Sequence, residues 1–313
     1  MSAKQDKKIK RVGVLRGGDE KYYTSSLKKG GEIILHIHQN LSHKWKPFDI
    51  LIDKKGTWHI NGLPILPSDL MHKVDVVWNT SHSSLTNILE SLSIPHIGQG
   101  SFHFSLENSK EMLRQHMKQI NLDMPRAVVL PVYQKDFDGP MERYSIKKAK
   151  EVHEKFPAPW IVKSFTPDTN MGIHLAKTFQ ELVDAIEDGV RHEKSVLVEE
   201  FIYGKVATVH NVPQFRKKDI YTFPLGNTFG VFSSDEKEVL TNLAKDIYNH
   251  TGAKHYLKTD FVMNPRGKVY LIQIDGTPDL KEDSHLTQVC VSVGAKTQDI
   301  VEHILEAALR YAY

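Results

Sequence analysis

Four polar side chains, Lys258, Asp260, Gln273 and Asp275, fall on alternate positions of two short apolar runs in the last quarter of this 313-residue chain. Two carboxylates, an amide and an ammonium on one surface can hold a divalent cation against an anion, or they can neutralise one another. The runs are 256–263 and 268–275, and the break between them is Asn264-Pro265-Arg266-Gly267. Alternating runs around an Asn/Pro/Gly break read as a β-hairpin. If Met263 faces Lys268, then Asp260 faces Leu271 and Lys258 faces Gln273. Even members of the first strand then share a face with odd members of the second. Burying unpaired carboxylates is costly, so such a cluster signals an ion, a ligand or a compensating pair. Spacing alone leaves open a metal site and a solvated face on which Lys258 neutralises an acid.

The elements that must carry this hairpin can be read along the chain. Residues 9–16 form a buried strand ending in Gly17-Gly18, and a helix follows over 24–40, the opening of an α/β unit in which helix-start amides can receive an anion. Strands at 48–53 and 74–78, a hairpin over 56–65, a helix over 84–93 and a short strand at 94–97 continue a parallel sheet covered on both faces. A helix over 105–119, a strand at 126–130, a polar loop over 133–144 and a helix over 146–154 come next. Strands at 160–163, 173–176 and 196–202 frame a helix over 178–188 opened by a threonine cap. Short strands to about 231, a helix over 234–251, the hairpin and a helix over 297–311 complete the chain. The domain reading is 1–102, an α/β substrate domain; 103–195, a central domain; and 196–313, a C-terminal domain with the hairpin.

Composition narrows the class of function. A chain with 40% hydrophobic and 25% charged residues is an ordinary globular protein, and a net charge of +3 is too small to argue for nucleic acid. One cysteine, Cys290, excludes an internal disulfide framework and a multi-cysteine zinc site. The basic opening lacks the apolar core of a signal peptide and no run approaches a membrane span, so the expected location is cytoplasmic. His36, His38 and His82 have no ligand spacing and are assigned to packing or surface roles.

Other segments carry candidate chemistry. Lys163 ends a buried strand beside the polar loop 164–172, and Lys110 sits early in a helix capped by Ser105 or Asn108. Each is either a phosphate clamp or a surface lysine. Asp168 in that loop would repel a phosphate unless a metal lay between them. Glu199-Glu200-Phe201-Ile202 ends an apolar run and suits a purine, with backbone groups of an exposed strand edge on the ring and a carboxylate on its amine. The alternative is an edge strand blunted by acids.

Taken in order, these pieces resemble a family. VLRGG at 14–18, IPHIGQG at 94–100, SLENSKEML at 105–113, WIVKS at 160–164, VLVEEFIYG at 196–204, KTDF at 258–261, YLIQIDGTPDL at 270–280 and DSHL at 283–286 are similar to the ATP-grasp ligases, and most similar to the D-alanine-D-alanine ligases. The resemblance implies an ATP-grasp fold behind a Rossmann-like N-terminal sheet, an α/β and α+β architecture. It implies ATP between the central and C-terminal domains, with Lys110 and Lys163 on the phosphates and Glu199, Glu200, Phe201 and Ile202 at the adenine. It implies Mg²⁺ (one or two ions, with Mn²⁺ an alternative) on Asp260, Gln273 and Asp275, which decides the hairpin in favour of a metal. Lys258 takes the place of an arginine that steadies an oxyanion, and Ser284 lies close to the substrate. The implied reaction is acylphosphate formation on one amino acid and displacement by the amine of another, in peptidoglycan precursor synthesis, and a homodimer is what the family suggests.

The departures from the family cluster on amino-acid recognition. Tyr22 stands where a glutamate anchors the substrate ammonium, and Glu20 is the expected substitute. Gln273 replaces a bridging glutamate and Asp275 an asparagine. Asn79-Thr80-Ser81-His82 and Asp168-Thr169-Asn170 replace family loops, and Val206 stands at the ribose-binding glutamate. The expected activity is therefore D-alanine dimer formation, a ligase for another amino-acid pair, or a nucleotide-binding pseudoenzyme.

Overall fold

Val12, Gly13, Val14 and Leu15 are buried in succession, which is how a strand covered on both faces reads. In the computed structural model this strand, Lys10–Gly17, pairs in parallel with Trp45–Ile52 and with Val76–Asn79. The structure describes residues 9–18, 22–165, 171–226 and 229–310. The chain divides into two units, one of residues 1–116, 205–261 and 273–313, the other of 117–204 and 262–272.

In the first unit a six-stranded sheet runs Leu63–Ile65, Trp58–Ile60, Trp45–Ile52, Lys10–Gly17, Val76–Asn79, His96–Ile97. The last four strands are parallel and the first two form an antiparallel edge. The helices Tyr23–Asn40 and Thr297–Arg310 bury Ile33, Ile37, Ile300 and Ile304 in one core with Val12, Val14 and Trp78. Each such side chain contributes about 1.5–3 kcal/mol by leaving water. The turn after the first strand needs glycine. Gly17 has φ +87° and a Cβ there would lie 2.2 Å from the Ile52 carbonyl oxygen. The parallel strands end in Gly17-Gly18, Asn79–Ser83 and Gly98–Gly100, so these loops gather at one edge of the sheet, where open α/β sheets bind ligands.

The helix expected over 105–119 is two helices, Ser101–Asn108 and Lys110–Met117. Ser109 between them is extended, with φ −131° and ψ 103°. Its hydroxyl accepts the Met112 N–H at 3.3 Å and its carbonyl the Leu113 N–H at 2.9 Å. The cap before Lys110 is therefore Ser109 and not Ser105 or Asn108.

The second unit holds a sheet in the order Ala127–Leu130, Val196–Glu200, Trp160–Ser164, His174–Ala176. Trp160, Val162 and Val198 pack with Leu182 and Ile186 of the helix Phe179–Arg191. The polar stretch expected as a loop over 133–144 holds the short helix Lys135–Asp138 and the start of Met141–Lys155, because Gly139 at φ +73° followed by Pro140 reopens a helix. Thr178 and Glu181 form a reciprocal capping box, as the threonine-cap reading expected. Thr178→Ala should lower stability by about 1 kcal/mol, measured by denaturant midpoint at unchanged slope.

The third sheet runs Ile220–Thr222, Lys205–Pro213, Leu257–Met263, Val269–Asp275. The region expected to hold only short strands contains the nine-residue Lys205–Pro213. The hairpin closes one residue later than expected. The Asn264 N–H donates to the Lys268 carbonyl, and the Gly267 N–H to that of Asn264, both at 2.9 Å. Asn264 therefore faces Lys268 in place of Met263, since Gly267 at φ +78° absorbs an extra residue as a bulge. Strict alternation also fails in the second strand, where Leu271 and Ile274, three apart, are both buried. Among the described residues no helix is long and apolar enough to cross a membrane.

Candidate functional site

The hairpin brings Asp260, Gln273 and Lys258 together. Asp260 Oδ1 accepts from the Thr208 hydroxyl at 2.6 Å, and Oδ2 accepts from Gln273 Nε2 at 2.7 Å. Lys258 Nζ lies 3.4 Å from Oδ2. Asp260 thus faces two neutral donors and one cation on adjacent strands. A neutral amide at 273 can donate to Asp260, which a second carboxylate could not do in its ionised form.

Asp275 has other partners. Its Oδ1 accepts the Thr277 N–H at 2.9 Å and lies 3.6 Å from Lys29 Nζ. Lys29 is also 4.0 Å from Glu107 Oε1, and Glu107 Oε2 accepts the Gly276 N–H at 3.2 Å. His103, one turn before Glu107, is buried, and burial pushes its pKa down to about 4. Burial, then the Asp275 charge, pushes the Glu107 carboxyl up to about 7 against the pull of Lys29. The Asp275 carboxylate, ahead of an opposing burial effect, raises Lys29.

That shift has a stability consequence. Below about pH 4.5 Glu107 is protonated in both folded and unfolded chains, and its contribution is fully present. As pH rises to about 7 the unfolded chain ionises first, and the contribution is lost through the folded value. The melting temperature of the native chain relative to Glu107→Gln should therefore fall between about pH 4.5 and 7.5, as thermal scans in matched buffers would show. A flat difference would refute the assignment.

In the second unit Lys163 Nζ lies 2.7 Å from Glu199 Oε2, with the Glu199 side chain only 8% exposed. Glu200 takes Arg126 Nε at 2.9 Å and Nη2 at 2.8 Å, and this guanidinium lowers its pKa. The exposed edge expected at 196–202 does not exist. Val196–Glu200 is an interior strand, paired on one side with Ala127–Leu130 and on the other with Trp160–Ser164. Apolar alternation reports faces and not pairing, so it could not distinguish an edge from the middle. Phe201 and Ile202 lie past the strand, and the Phe201 N–H donates to the Pro159 carbonyl at 3.1 Å.

The remaining predicted residues are dispersed. Lys110 is the first residue of its helix. Ser284 caps the helix His285–Ser292, accepting the Thr287 N–H at 3.2 Å and donating to the Asp279 carbonyl at 3.0 Å. Glu20 and Asp168-Thr169-Asn170 lie outside the described residues. Tyr22 sits edge-on to Phe104 with ring centres 5.5 Å apart, and His82 packs on Phe104 at 4.7 Å.

Sequence reasoning missed Lys29, Glu107 and Thr208, and it missed a buried chain in which His210 joins the Tyr256 hydroxyl at 2.6 Å and His285 Nδ1 at 2.8 Å. No local signal marks these residues. His210 and His285 are 75 positions apart.

A family model described as the D-ala D-ala ligase C-terminus matches residues 120–214 and 230–306. The chain belongs to that family. A D-alanine--D-alanine ligase from Azobacteroides pseudotrichonymphae is 20% identical over 96% of this chain and 100% of its own length. One from Geotalea uraniireducens is 23% identical over 96% of each. Among solved structures, the D-alanyl-alanine synthetase A from Vibrio cholerae matches with a TM-score of 0.70 at 16% identity, covering 96% of this chain and 98% of that one. The VanG D-Ala:D-Ser ligase from Enterococcus faecalis matches at 0.69 and 16%, covering 96% of this chain and all of its own. The fold of this ligase-family chain is accordingly ATP-grasp, with a mixed, mostly parallel N-terminal sheet and two antiparallel sheets.

The chain's donor set can be tested against the family's Mg²⁺. Among the described residues no group of three or more His, Cys, Asp or Glu is arranged to hold a metal ion. Mg²⁺ is usually bound through one or two carboxylates plus substrate phosphates and not by an all-protein cage. Asp260 suits that mode, whereas the Asp275 carboxylate is engaged by the Thr277 N–H and by Lys29. Gln273 spends an amide hydrogen on Asp260 and supplies no charge.

Proposed function

We propose that the chain is an ATP-dependent ligase that joins the carboxylate of one amino acid to the amine of another through an acylphosphate, with D-alanine dimer formation the leading reaction. The observation that carries this reading is the family match, which draws on both units of the fold. ATP, when bound, supplies the phosphoryl group that activates the carboxylate, and a structure of the Bacillus anthracis D-alanine--D-alanine ligase, 18% identical with a TM-score of 0.67, is of its complex with ATP.

In this reading Lys110 and Lys163 neutralise the phosphate chain, and Glu199, Glu200, Phe201 and Ile202 meet the adenine. Asp260 and Asp275 would hold Mg²⁺, with Gln273 and Thr208 fixing the rotamer of Asp260. Lys258, already beside Asp260, faces the oxyanion of the acyl centre. Ser284 keeps the loop from Asp279 in place near the substrate. Catalysis of this kind is mainly positioning and charge neutralisation. A cytoplasmic homodimer working in peptidoglycan precursor synthesis is the matching biological setting.

A ligase for another amino-acid pair is the second reading. It is favoured by the likeness to a D-Ala:D-Ser ligase and by Tyr22 at the family's ammonium-anchoring position. Phosphate release from ATP with D-alanine alone, against D-serine, glycine and L-amino acids paired with it, separates the two. Thermal stabilisation by ATP without phosphate release for any pair would overturn both and leave a nucleotide-binding regulator.

A further inference from the structure

The first unit contains a cavity of about 70 Å³ at the carboxyl ends of its parallel strands, lined by Lys29, Asn79, Ser81, Phe104, Glu107 and Pro278, among others. One water needs about 10–15 Å³ on the same measure. The space therefore suits about five or six non-hydrogen atoms, the size of alanine or serine and far less than a nucleotide.

Its lining is amphoteric. Lys29 stands 3.6 Å from Asp275 and 4.0 Å from Glu107, so its charge is shared between two carboxylates at the long end of ion-pair range. Glu107 keeps Oε1 toward Lys29 while Oε2 takes the Gly276 N–H. Trp78, Phe104 and Pro278 give an apolar wall. A partly exposed cation shared at long range by two carboxylates, beside an apolar wall, is matched by a small ligand that bears both charges.

Tyr22, the position at which the family carries its ammonium-holding glutamate, is filled by an aromatic group packed on Phe104. Phe104 lies one helical turn before Glu107 on Ser101–Asn108. The break at Ser109 ends that helix just beyond Glu107 and leaves Glu107 in the last turn, beside the loop that follows Asp275.

We propose that this cavity takes a small amino acid as its zwitterion, with Glu107 holding the ammonium group and Lys29 facing the carboxylate. The proposal deepens the ligase reading above and rests on it. It makes Glu107 the residue that sets selectivity for an amine-bearing substrate.

Calorimetry with the full chain, in ADP and Mg²⁺, tests this with D-alanine, D-serine and glycine against D-lactate, which keeps the carboxylate and replaces the ammonium with a hydroxyl. The expected result is binding of at least one amino acid and at least about tenfold weaker binding of D-lactate, as fits the loss of one charge-assisted hydrogen bond. Glu107→Gln should weaken the amino acid by about tenfold to a hundredfold and leave D-lactate unchanged, and Glu107→Asp should recover part of the loss. Equal affinity in Glu107→Gln and the native chain overturns the proposal. So does a loss reproduced by Glu20→Gln and not by Glu107→Gln, or equal binding of D-lactate and D-alanine. If Glu107→Gln does not fold, the D-lactate comparison on the native chain decides. Absence of amino-acid binding refutes the cavity assignment, whereas amino-acid binding without phosphate release for any pair sinks the ligase reading and leaves the cavity standing.

Discussion

Asp260→Asn lowers phosphate release from MgATP by about a hundredfold to a thousandfold or more, the range seen when one preorganised electrostatic group is removed from a transition state. The substitution isolates charge from shape. Asparagine keeps an oxygen for the Thr208 hydroxyl, and rotation of the Gln273 amide lets its oxygen accept from the new Nδ2, so both neighbours stay satisfied. What disappears is the negative charge beside Lys258 and in front of any ion that arrives with the phosphates. At about 4 Å a unit charge pair is worth about 4 kcal/mol at an effective dielectric of about 20. The melting temperature should change little, because no cavity or orphaned polar group is created. Phosphate release and thermal denaturation, measured together, give the result, and full retention of turnover would discard the hairpin as the metal site.

The second large effect is on stability. Lys163→Met leaves Glu199, with its side chain 8% exposed, without the ammonium 2.7 Å away. Removing one member of a buried pair typically costs about 3–5 kcal/mol. Replacing both partners, as in Lys163→Met with Glu199→Leu, removes the buried carboxylate as well and should restore most of that loss. Nucleotide binding should stay absent in the single and the double variant, because the lysine proposed for the phosphates is missing from both. Denaturant midpoints together with ATP-dependent thermal shifts distinguish the two effects. A double variant no more stable than the single one would mean that the pair is not what holds Glu199 in place.

The hairpin shows how far a pattern in sequence reaches. Its strands, its turn and the meeting of Asp260 with Gln273 were all legible from alternation and from the Asn-Pro-Arg-Gly break. The register was not, because the bulge at Gly267 is a backbone conformation that the residue types allow but do not compel. Ser109 is a second instance. A cap and an amphipathic interior residue can share one sequence context, and the apolar spacing across 101–117 runs through the break without a mark. The acids at 199 and 200 are a third. Their strand is interior, and each acid has a basic partner on another strand or at a strand end, so neither blunts an edge.

Sequence alone determined most of the order of strands and helices, the cap at Thr178, the glycine turn after the first strand and the family. These features depend on hydrophobic period, on capping within four residues and on motif order, all of which are local or linear along the chain. Tertiary structure alone decided that Thr208 caps Asp260 across 52 positions, and that Glu107 reaches Gly276 across 169. It likewise set Lys29 against Asp275 and placed both beside a cavity. Contacts over such separations form only when packed elements bring their faces together. The free energy that selects them comes from burial and charge compensation in the assembled unit, and no local stretch of the chain carries it.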